Sequence, residues 1–125
     1  MKEIFIVEDD QDIRELLGFL LAGENYQIKS FASAQAFREG IVGQKPNLIL
    51  MDTMLPDGNG LELCRELRQD ESTISLPVVI MSAHSDLNIS GESCAIDFIA
   101  KPFEVDHFLQ CIEATIGEAK NFKMQ

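Results

Sequence analysis

The side chains of this sequence best suited to chemistry each follow a short apolar run. In chain order they are Glu8, Asp9 and Asp10, then Asp52, then Ser82, and last Lys101. Carboxylates that are brought together repel one another, so they require a cation or a raised pKa, and an all-oxygen set suits Mg²⁺ far better than zinc. A carboxylate oxygen can also be a nucleophile that forms an aspartyl phosphate. The set therefore predicts a site at which Mg²⁺ and a phosphoryl group meet at Asp52.

Asp52 is placed for this role by the residues on both sides of it. The apolar run 48–51 predicts a strand buried on both faces, and Pro56, Gly58 and Gly60 then force a turn. Asp52 is thus expected at the mouth of a loop. Each feature also has a plainer interpretation. Asp52 could be a turn-forming aspartate at a strand end, and the acids 8–10 taken alone could merely stabilise the first helix by interacting with its N-terminal dipole.

Strand and helix patterns alternate along the whole chain. Strands are predicted at 4–7, 26–31, 47–51, 76–81 and 96–100, and helices from Asp10 or Gln11 to Gly23, from Ser33 to Gly43, from 60 to 70 and from 104 to 118. Parallel strands need crossover connections, which place helices on both faces of the sheet. Ligands of such sheets bind outside the carboxyl ends of the strands, so the reactive residues are expected to converge at one edge.

Composition narrows the class of protein. With 125 residues, of which 46% are apolar, the chain is long enough for one domain with a full core. The formal charge of −11 repels phosphate backbones and anionic lipid, so direct binding to nucleic acid or to a membrane surface is disfavoured. Cys64, Cys94 and Cys111 form no CxxC pair and are expected to be thiols in a reducing cytoplasm. No apolar run approaches the roughly 18 residues that a membrane span needs.

At these residues the sequence resembles the receiver domains of bacterial two-component response regulators. The motifs that carry the resemblance are Ile4-Phe5-Ile6-Val7-Glu8-Asp9-Asp10, Leu50-Met51-Asp52-Thr53-Met54-Leu55-Pro56-Asp57-Gly58-Asn59-Gly60, Val79-Ile80-Met81-Ser82-Ala83 and Lys101-Pro102-Phe103. The resemblance implies a single α/β receiver domain over residues 1–125, with a doubly wound, flavodoxin-like (βα)5 fold and the strand order 2-1-3-4-5. It also implies a cis bond at Lys101-Pro102, since X-Pro is where such bonds occur.

The resemblance assigns roles to seven residues. It implies that Asp52 is the phosphoacceptor, that Glu8 (largely through water), Asp9, Asp52 and the Met54 carbonyl hold Mg²⁺, that Ser82 and Lys101 contact the phosphoryl group, and that Phe98 changes rotamer with Ser82. The phosphoryl donor would be a sensor histidine kinase or a phosphotransfer protein. Such a domain catalyses its own phosphorylation and dephosphorylation and is not a turnover enzyme.

Two other functions stay open on the sequence alone. One is a Mg²⁺-dependent phosphohydrolase, which usually needs an acid two residues after the nucleophile, where this chain has Met54. The other is a degenerate receiver that serves only as a docking module, which the complete set of site residues disfavours. In the receiver interpretation, phosphorylation shifts the population of a face made from the fourth helix, fifth strand and fifth helix, which would control an output domain or a homodimer.

The segment 84–95 departs most from the family pattern. It is about three residues shorter than usual and contains Asn88, Gly91 and three serines, which are poorer helix formers than alanine. We therefore expect a short, displaced or irregular fourth helix. Two residues near Asp52, Met54 and His84, are expected to influence the lifetime of the phosphorylated form.

Overall fold

A computed structural model describes residues 1–83 and 94–123. The strands are β1 (Glu3–Val7), β2 (Gln27–Phe31), β3 (Leu48–Asp52), β4 (Met54–Leu55), β5 (Gly58–Asn59), β6 (Val78–Ser82) and β7 (Asp97–Ala100). The helices in these ranges are α1 (Gln11–Ala22), α2 (Ala34–Ile41), α3 (Gly60–Leu67) and α4 (Val105–Lys123). Within the described residues, the predicted strands and helices are present close to their predicted bounds, except that α4 continues past its predicted end near residue 118.

Five strands form one parallel sheet in the order β2-β1-β3-β6-β7. Strands β4 and β5 form a separate antiparallel hairpin, so β6 and β7 are the fourth and fifth strands of the parallel sheet. The strand order is therefore the predicted 2-1-3-4-5 of a flavodoxin-like fold. The central position of β3 explains the apolar run that precedes Asp52, since all five residues of the strand are buried. Strand β2 lies at the edge of the sheet and is largely exposed.

Alternate residues of the strands supply two separate cores, one on each face of the sheet. On one face, α2 and α3 pack on strand residues that include Phe5, Ile49 and Ile80. On the other face, α1 and α4 pack on strand residues that include Ile6 and Leu50. Each large side chain that is fully buried stabilises the fold by about 1.5–3 kcal/mol, so packing rather than helix propensity holds the short helices α2 and α3.

Two helices begin at the residues that the sequence analysis gives as their starts. The Asp10 carboxylate accepts a hydrogen bond from the Ile13 amide at 3.1 Å, and the Ser33 hydroxyl accepts one from the Ala36 amide at 3.1 Å. Gly23 follows the last residue of α1, as expected. Each cap satisfies an amide that would otherwise have no partner in the first turn.

Some large apolar residues of α1 and α4 are exposed. In α1, Leu17 is fully buried, but Leu16 is 48% exposed and Phe19 is 77% exposed. In α4, Phe108 is fully buried whereas Val105, at the first turn, is 44% exposed.

Two further expectations concern the chain after β6. The Lys101-Pro102 bond is cis, as the family resemblance implies. The short or irregular fourth helix that the sequence predicts at 84–95 precedes β7 and is not the helix labelled α4. It falls almost wholly on residues 84–93, which lie outside the described residues. Across 1–83 and 94–123, none of the helices has the length and hydropathy needed to cross a membrane.

Candidate functional site

The predicted acids meet at the carboxyl edge of the sheet. Glu8 and Asp9 directly follow β1, and Asp52 is the last residue of β3. One carboxylate oxygen from each of these three residues lies within 4.8 Å of the other two. Glu8 is 1% exposed and Asp52 5% exposed, whereas Asp9 is open to solvent. The site is therefore a cluster of acids with a buried floor and an accessible rim.

Lys101 joins two of these acids. Its Nζ atom lies 2.7 Å from Oε1 of Glu8 and 3.2 Å from Oδ2 of Asp52. The side chain reaches the site because Lys101 directly follows β7, and its amide donates to the Ser82 carbonyl at 2.7 Å. Three carboxylates and one ammonium carry a formal charge of −2, which a single divalent cation would balance.

Burial and charge act in opposite directions on the pKa values of this cluster. Burial raises the pKa of Glu8 above its ordinary 4.5, the Lys101 hydrogen bond opposes that rise, and the Asp52 charge adds to it. Burial lowers the pKa of Lys101, but its hydrogen bond to Glu8 and the charge of Asp52 outweigh that effect, so the pKa is raised overall. Lys101 therefore stays protonated, and its ammonium keeps a positive charge next to the carboxylates of Glu8 and Asp52.

The loop after Asp52 is more ordered than a simple turn. Met54 pairs with Asn59 and Leu55 with Gly58 in the hairpin β4–β5, which the sequence analysis did not predict. The Gly60 amide donates to the Thr53 carbonyl at 3.0 Å and closes the base of the hairpin. The Met54 side chain is 70% exposed.

Arg14, which the sequence analysis did not single out, fixes the turn after β1. Its Nη1 atom donates to the Glu8 carbonyl at 2.8 Å and to the Asp9 carbonyl at 3.3 Å. The signal in the sequence was a basic residue one turn after the Asp10 cap. Asp10 itself is used as that cap and does not belong to the three-acid cluster.

Ser82 and Phe98 lie on the neighbouring strands β6 and β7. Ser82 is the last residue of β6, is 7% exposed, and pairs in register with Ala100. Phe98 pairs with Ile80 and packs, half-buried, on the same core as α2 and α3. Ser82 is therefore at the predicted edge, whereas Phe98 lies two residues before the end of its strand.

The residues at the edge fit a hard divalent cation. The donor set is made of carboxylate oxygens, which Mg²⁺ prefers, and it contains neither the thiolate nor the imidazole that a zinc site would use. The three cysteines, none of which is in a disulfide, lie elsewhere: Cys64 and Cys94 are buried, and Cys111 is partly buried in α4. The acidic cluster can thus hold Mg²⁺.

The family model of the response regulator receiver domain matches residues 4–113, and the chain belongs to that family. The transcriptional regulatory protein GltR of Pseudomonas aeruginosa is 34% identical over 122 residues, which are 95% of this chain and 50% of GltR. The response regulator ArlR of Staphylococcus haemolyticus is 37% identical over 119 residues, which are 93% of this chain and 53% of ArlR. The chain thus spans about half the length of these curated relatives.

A solved structure supports the same conclusion about the fold. The response regulator protein TrrA of Thermotoga maritima, in complex with Mg²⁺-BeF, has a TM-score of 0.82 to this chain at 25% identity, with 92% of this chain and 99% of TrrA covered. Response regulators work with sensor kinases and carry output domains. The chain is accordingly a receiver domain of two-component signalling, and the resemblance stated from its motifs is confirmed.

Proposed function

We propose that Asp52 accepts a phosphoryl group from the phosphohistidine of a sensor histidine kinase or a phosphotransfer protein. The observation that carries the proposal is the meeting of the Glu8, Asp9 and Asp52 carboxylates within 4.8 Å, with Lys101 bonded to two of them. In the transfer, an Asp52 oxygen forms a bond to phosphorus while the bond from phosphorus to the donor histidine nitrogen breaks. The nitrogen keeps the electron pair of that bond, and because the donor ring carries a proton on its other nitrogen, it leaves as a neutral imidazole.

Glu8, Asp9, Asp52 and the Met54 carbonyl are proposed to hold Mg²⁺, and the Mg²⁺-BeF complex of TrrA supports this cofactor. When bound, Mg²⁺ supplies positive charge that offsets the oxygens of the transferred group. Glu8 is fixed for this role because its second carboxylate oxygen accepts the Asp10 amide at 3.2 Å.

Lys101 is proposed to stabilise the phosphoryl oxygens. Its ammonium already contacts Oδ2 of Asp52, so a group bonded to Asp52 stays within its reach. Phosphoryl transfer is catalysed chiefly by positioning and by cations, and this residue provides both. The domain would thereby catalyse its own phosphorylation and dephosphorylation without turning over a diffusible substrate.

Ser82 and Phe98 are proposed as the switch. Ser82 ends β6 beside the strand that carries Asp52, which supports the proposal that its hydroxyl bonds a phosphoryl oxygen. Phe98 on the adjacent strand is half-buried and can change rotamer when Ser82 moves. The result would be a population shift on the face that the family resemblance assigns to the fourth helix, β7 and α4.

We further propose that residues 1–125 form one receiver domain that acts on an output domain or on a homodimer through that face. Because the curated relatives are about twice as long, the output would lie in residues beyond the matched region. The formal charge of −11 argues against direct contact of this domain with nucleic acid. Its three cysteines, which form no disulfide, are in keeping with the reducing cytoplasm.

The test is incubation with a small acyl phosphate donor, with and without Mg²⁺, followed by intact-protein mass spectrometry. Wild type is expected to gain the mass of one phosphoryl group only with Mg²⁺, and Asp52→Asn to gain none, because the amide is not a nucleophile. Asp10→Asn is the matched control, since it removes a neighbouring charge while its amide oxygen can still cap α1. Undiminished uptake by Asp52→Asn would end the assignment.

A further inference from the structure

The loop that leaves Asp52 is attached to a distant helix through one carboxylate. Oδ1 of Asp57 accepts a hydrogen bond from the Ala34 amide at 2.8 Å, and Oδ2 accepts one from the Gln35 amide at 3.0 Å. These amides are in the first turn of α2, 23 and 22 residues earlier in the chain. Both bonds favour the ionised form and lower the pKa of Asp57 below its ordinary 3.8.

Capping alone does not account for Asp57. The N-cap of α2 is Ser33, whose hydroxyl accepts from the Ala36 amide at 3.1 Å, so the helix already has a local cap. Asp57 serves two other amides of the same turn and comes from a different part of the chain. Its bonds are therefore contacts between two elements, and they constrain the loop as much as the helix.

The hairpin β4–β5 links Asp57 to the phosphoryl site. Met54, whose carbonyl is the proposed metal ligand, pairs with Asn59 at the base of the hairpin, and Asp57 lies in its tip. The side chain of Asn59 caps α3 by accepting from the Leu61 amide at 2.7 Å. A Cβ added at Gly58 would lie 3.5 Å from the Cβ of Ala34, so the tip also packs against the start of α2.

Helix α2 is a firm anchor for this loop. Three of its eight residues, Ala34, Phe37 and Ile41, are buried in the core that α2 and α3 form with one face of the sheet. A carboxylate at its N-terminus is also favoured by the helix dipole. The hairpin can therefore move away from α2 only by giving up both charge-assisted hydrogen bonds of Asp57.

We propose that Asp57 is a positioning residue of the phosphoryl site, which holds the Met54 carbonyl and the backbone after Asp52 in place by fixing the hairpin to α2. This inference rests on the proposed function, because it assigns Met54 to the metal site. It predicts that replacing Asp57 impairs Mg²⁺ binding and phosphorylation, although Asp57 touches neither the metal nor the phosphoryl group.

The test compares three variants. Asp57→Ala removes both hydrogen bonds and one charge, Asp57→Asn removes the same charge but keeps one acceptor oxygen, and Ser33→Ala weakens the same helix turn without freeing the loop. Mg²⁺ affinity is measured by titration calorimetry at low and high salt. The metal-free readout is the hydrogen exchange rate of the Gly60 amide, which donates to Thr53 at the base of the hairpin. Phosphorylation rate with the acyl phosphate donor is the third measurement.

Asp57→Ala is expected to weaken Mg²⁺ binding and to slow phosphorylation by at least about threefold, since displaced groups lose rate steeply. It should also speed exchange at Gly60. Asp57→Asn is expected to lie between Asp57→Ala and wild type, and Ser33→Ala to lower Tm while leaving Mg²⁺ binding and Gly60 exchange unchanged.

Three results would overturn the inference. Parallel changes in Ser33→Ala and Asp57→Ala would show a purely structural role. Equal Mg²⁺ affinities for Asp57→Ala and Asp57→Asn that return to the wild-type value at high salt would show a charge effect alone. Unchanged Gly60 exchange in Asp57→Ala would show that the loop is fixed by other contacts. Failure of wild type to take up a phosphoryl group would instead count against the proposed function, and the metal-free exchange result would still decide the role of Asp57 in the loop.

Discussion

Gly60→Ala tests the packing that holds the backbone of Asp52. Gly60 is the first residue of α3, and a Cβ there would overlap the carbonyl oxygen of Asp52 and lie 2.9 Å from its carbonyl carbon. It would also lie 3.1 Å from Cγ of Met51. Because the obstacle is the backbone of a buried central strand, the neighbours cannot move aside without disturbing the sheet, and either α3 or Asp52 must shift.

The expected cost follows from this geometry. Overpacking costs about 1–3 kcal/mol, and a backbone obstacle places Gly60→Ala near the upper value. Alanine is a better helix former than glycine by at most about 1 kcal/mol, which offsets part of the loss. The net destabilisation is about 2 kcal/mol, which for a domain of this size lowers Tm by roughly 5–12 °C. Phosphorylation should slow as well, because the displaced backbone carries the proposed nucleophile.

Two other glycines provide controls for thermal melts of Gly60→Ala. The three atoms nearest to a Cβ at Gly40 would all belong to the ring of Phe31, a side chain rather than a backbone, so Gly40→Ala should cost less. A Cβ at Gly117 in α4 would meet nothing within 4 Å, so Gly117→Ala should leave Tm unchanged or raise it slightly. A Gly60→Ala protein with the Tm and phosphorylation rate of wild type would refute the argument that this close approach fixes Asp52.

Three further predictions concern the metal, the phosphoryl lifetime and acid. Asp9→Asn is expected to weaken Mg²⁺ binding by at least about tenfold, since even residues behind metal ligands cost that much, and an unchanged calorimetric titration would contradict it. Met54→Asn is expected to speed loss of the phosphoryl group, because a smaller polar side chain obstructs an in-line water less, and identical decay curves would disprove this. The pKa of Asp57 is lowered in the folded state, so its stabilising effect is present above pH 3.8 and is lost as the pH falls through the lower folded pKa. The Tm difference between wild type and Asp57→Asn should accordingly shrink below pH 3.8, and a gap that widens in acid would reverse that sign.

The parts of the structure that the sequence predicts are those with a local pattern. The continuous apolar run before Asp52 predicts a strand covered on both faces, and β3 is buried throughout. Alternation of strands and helices predicts a parallel sheet, and a parallel sheet places strand ends together. The convergence of Glu8, Asp52 and Lys101 follows from those two steps, and the ion pairs of Lys101 with the two acids agree with it.

The parts that sequence reasoning missed depend on contacts between side chains and distant backbone. Arg68 donates to the carbonyls of Cys94 at 2.9 Å and Ile74 at 2.8 Å. These bonds connect the end of α3 to the chain just before β7 and just before β6. Arg14 does the same for the turn after β1. A long polar side chain has no periodicity that reveals its partner, because several carbonyls are within its reach and the fold decides which one it meets. The Pro56-Asp57-Gly58 sequence likewise predicts a turn but not the helix that Asp57 caps.

Two kinds of contact therefore hold the site, namely strand pairing within the sheet and the hydrogen bonds of Asp57. Their loss should have different effects. The register of the sheet places Asp52 opposite Met81 and Ser82 opposite Ala100, and a change that disturbs it, such as Gly60→Ala, must cost stability because the same contacts form the core. The bonds of Asp57 lie at the exposed rim, where the carboxylate is solvated and little apolar surface is involved. Breaking them should leave the two cores intact and alter mainly the loop that lines the proposed metal site. A receiver can thus keep its fold while its metal affinity and phosphoryl chemistry vary through loop residues of this kind, as is general for sites carried on loops of a rigid scaffold.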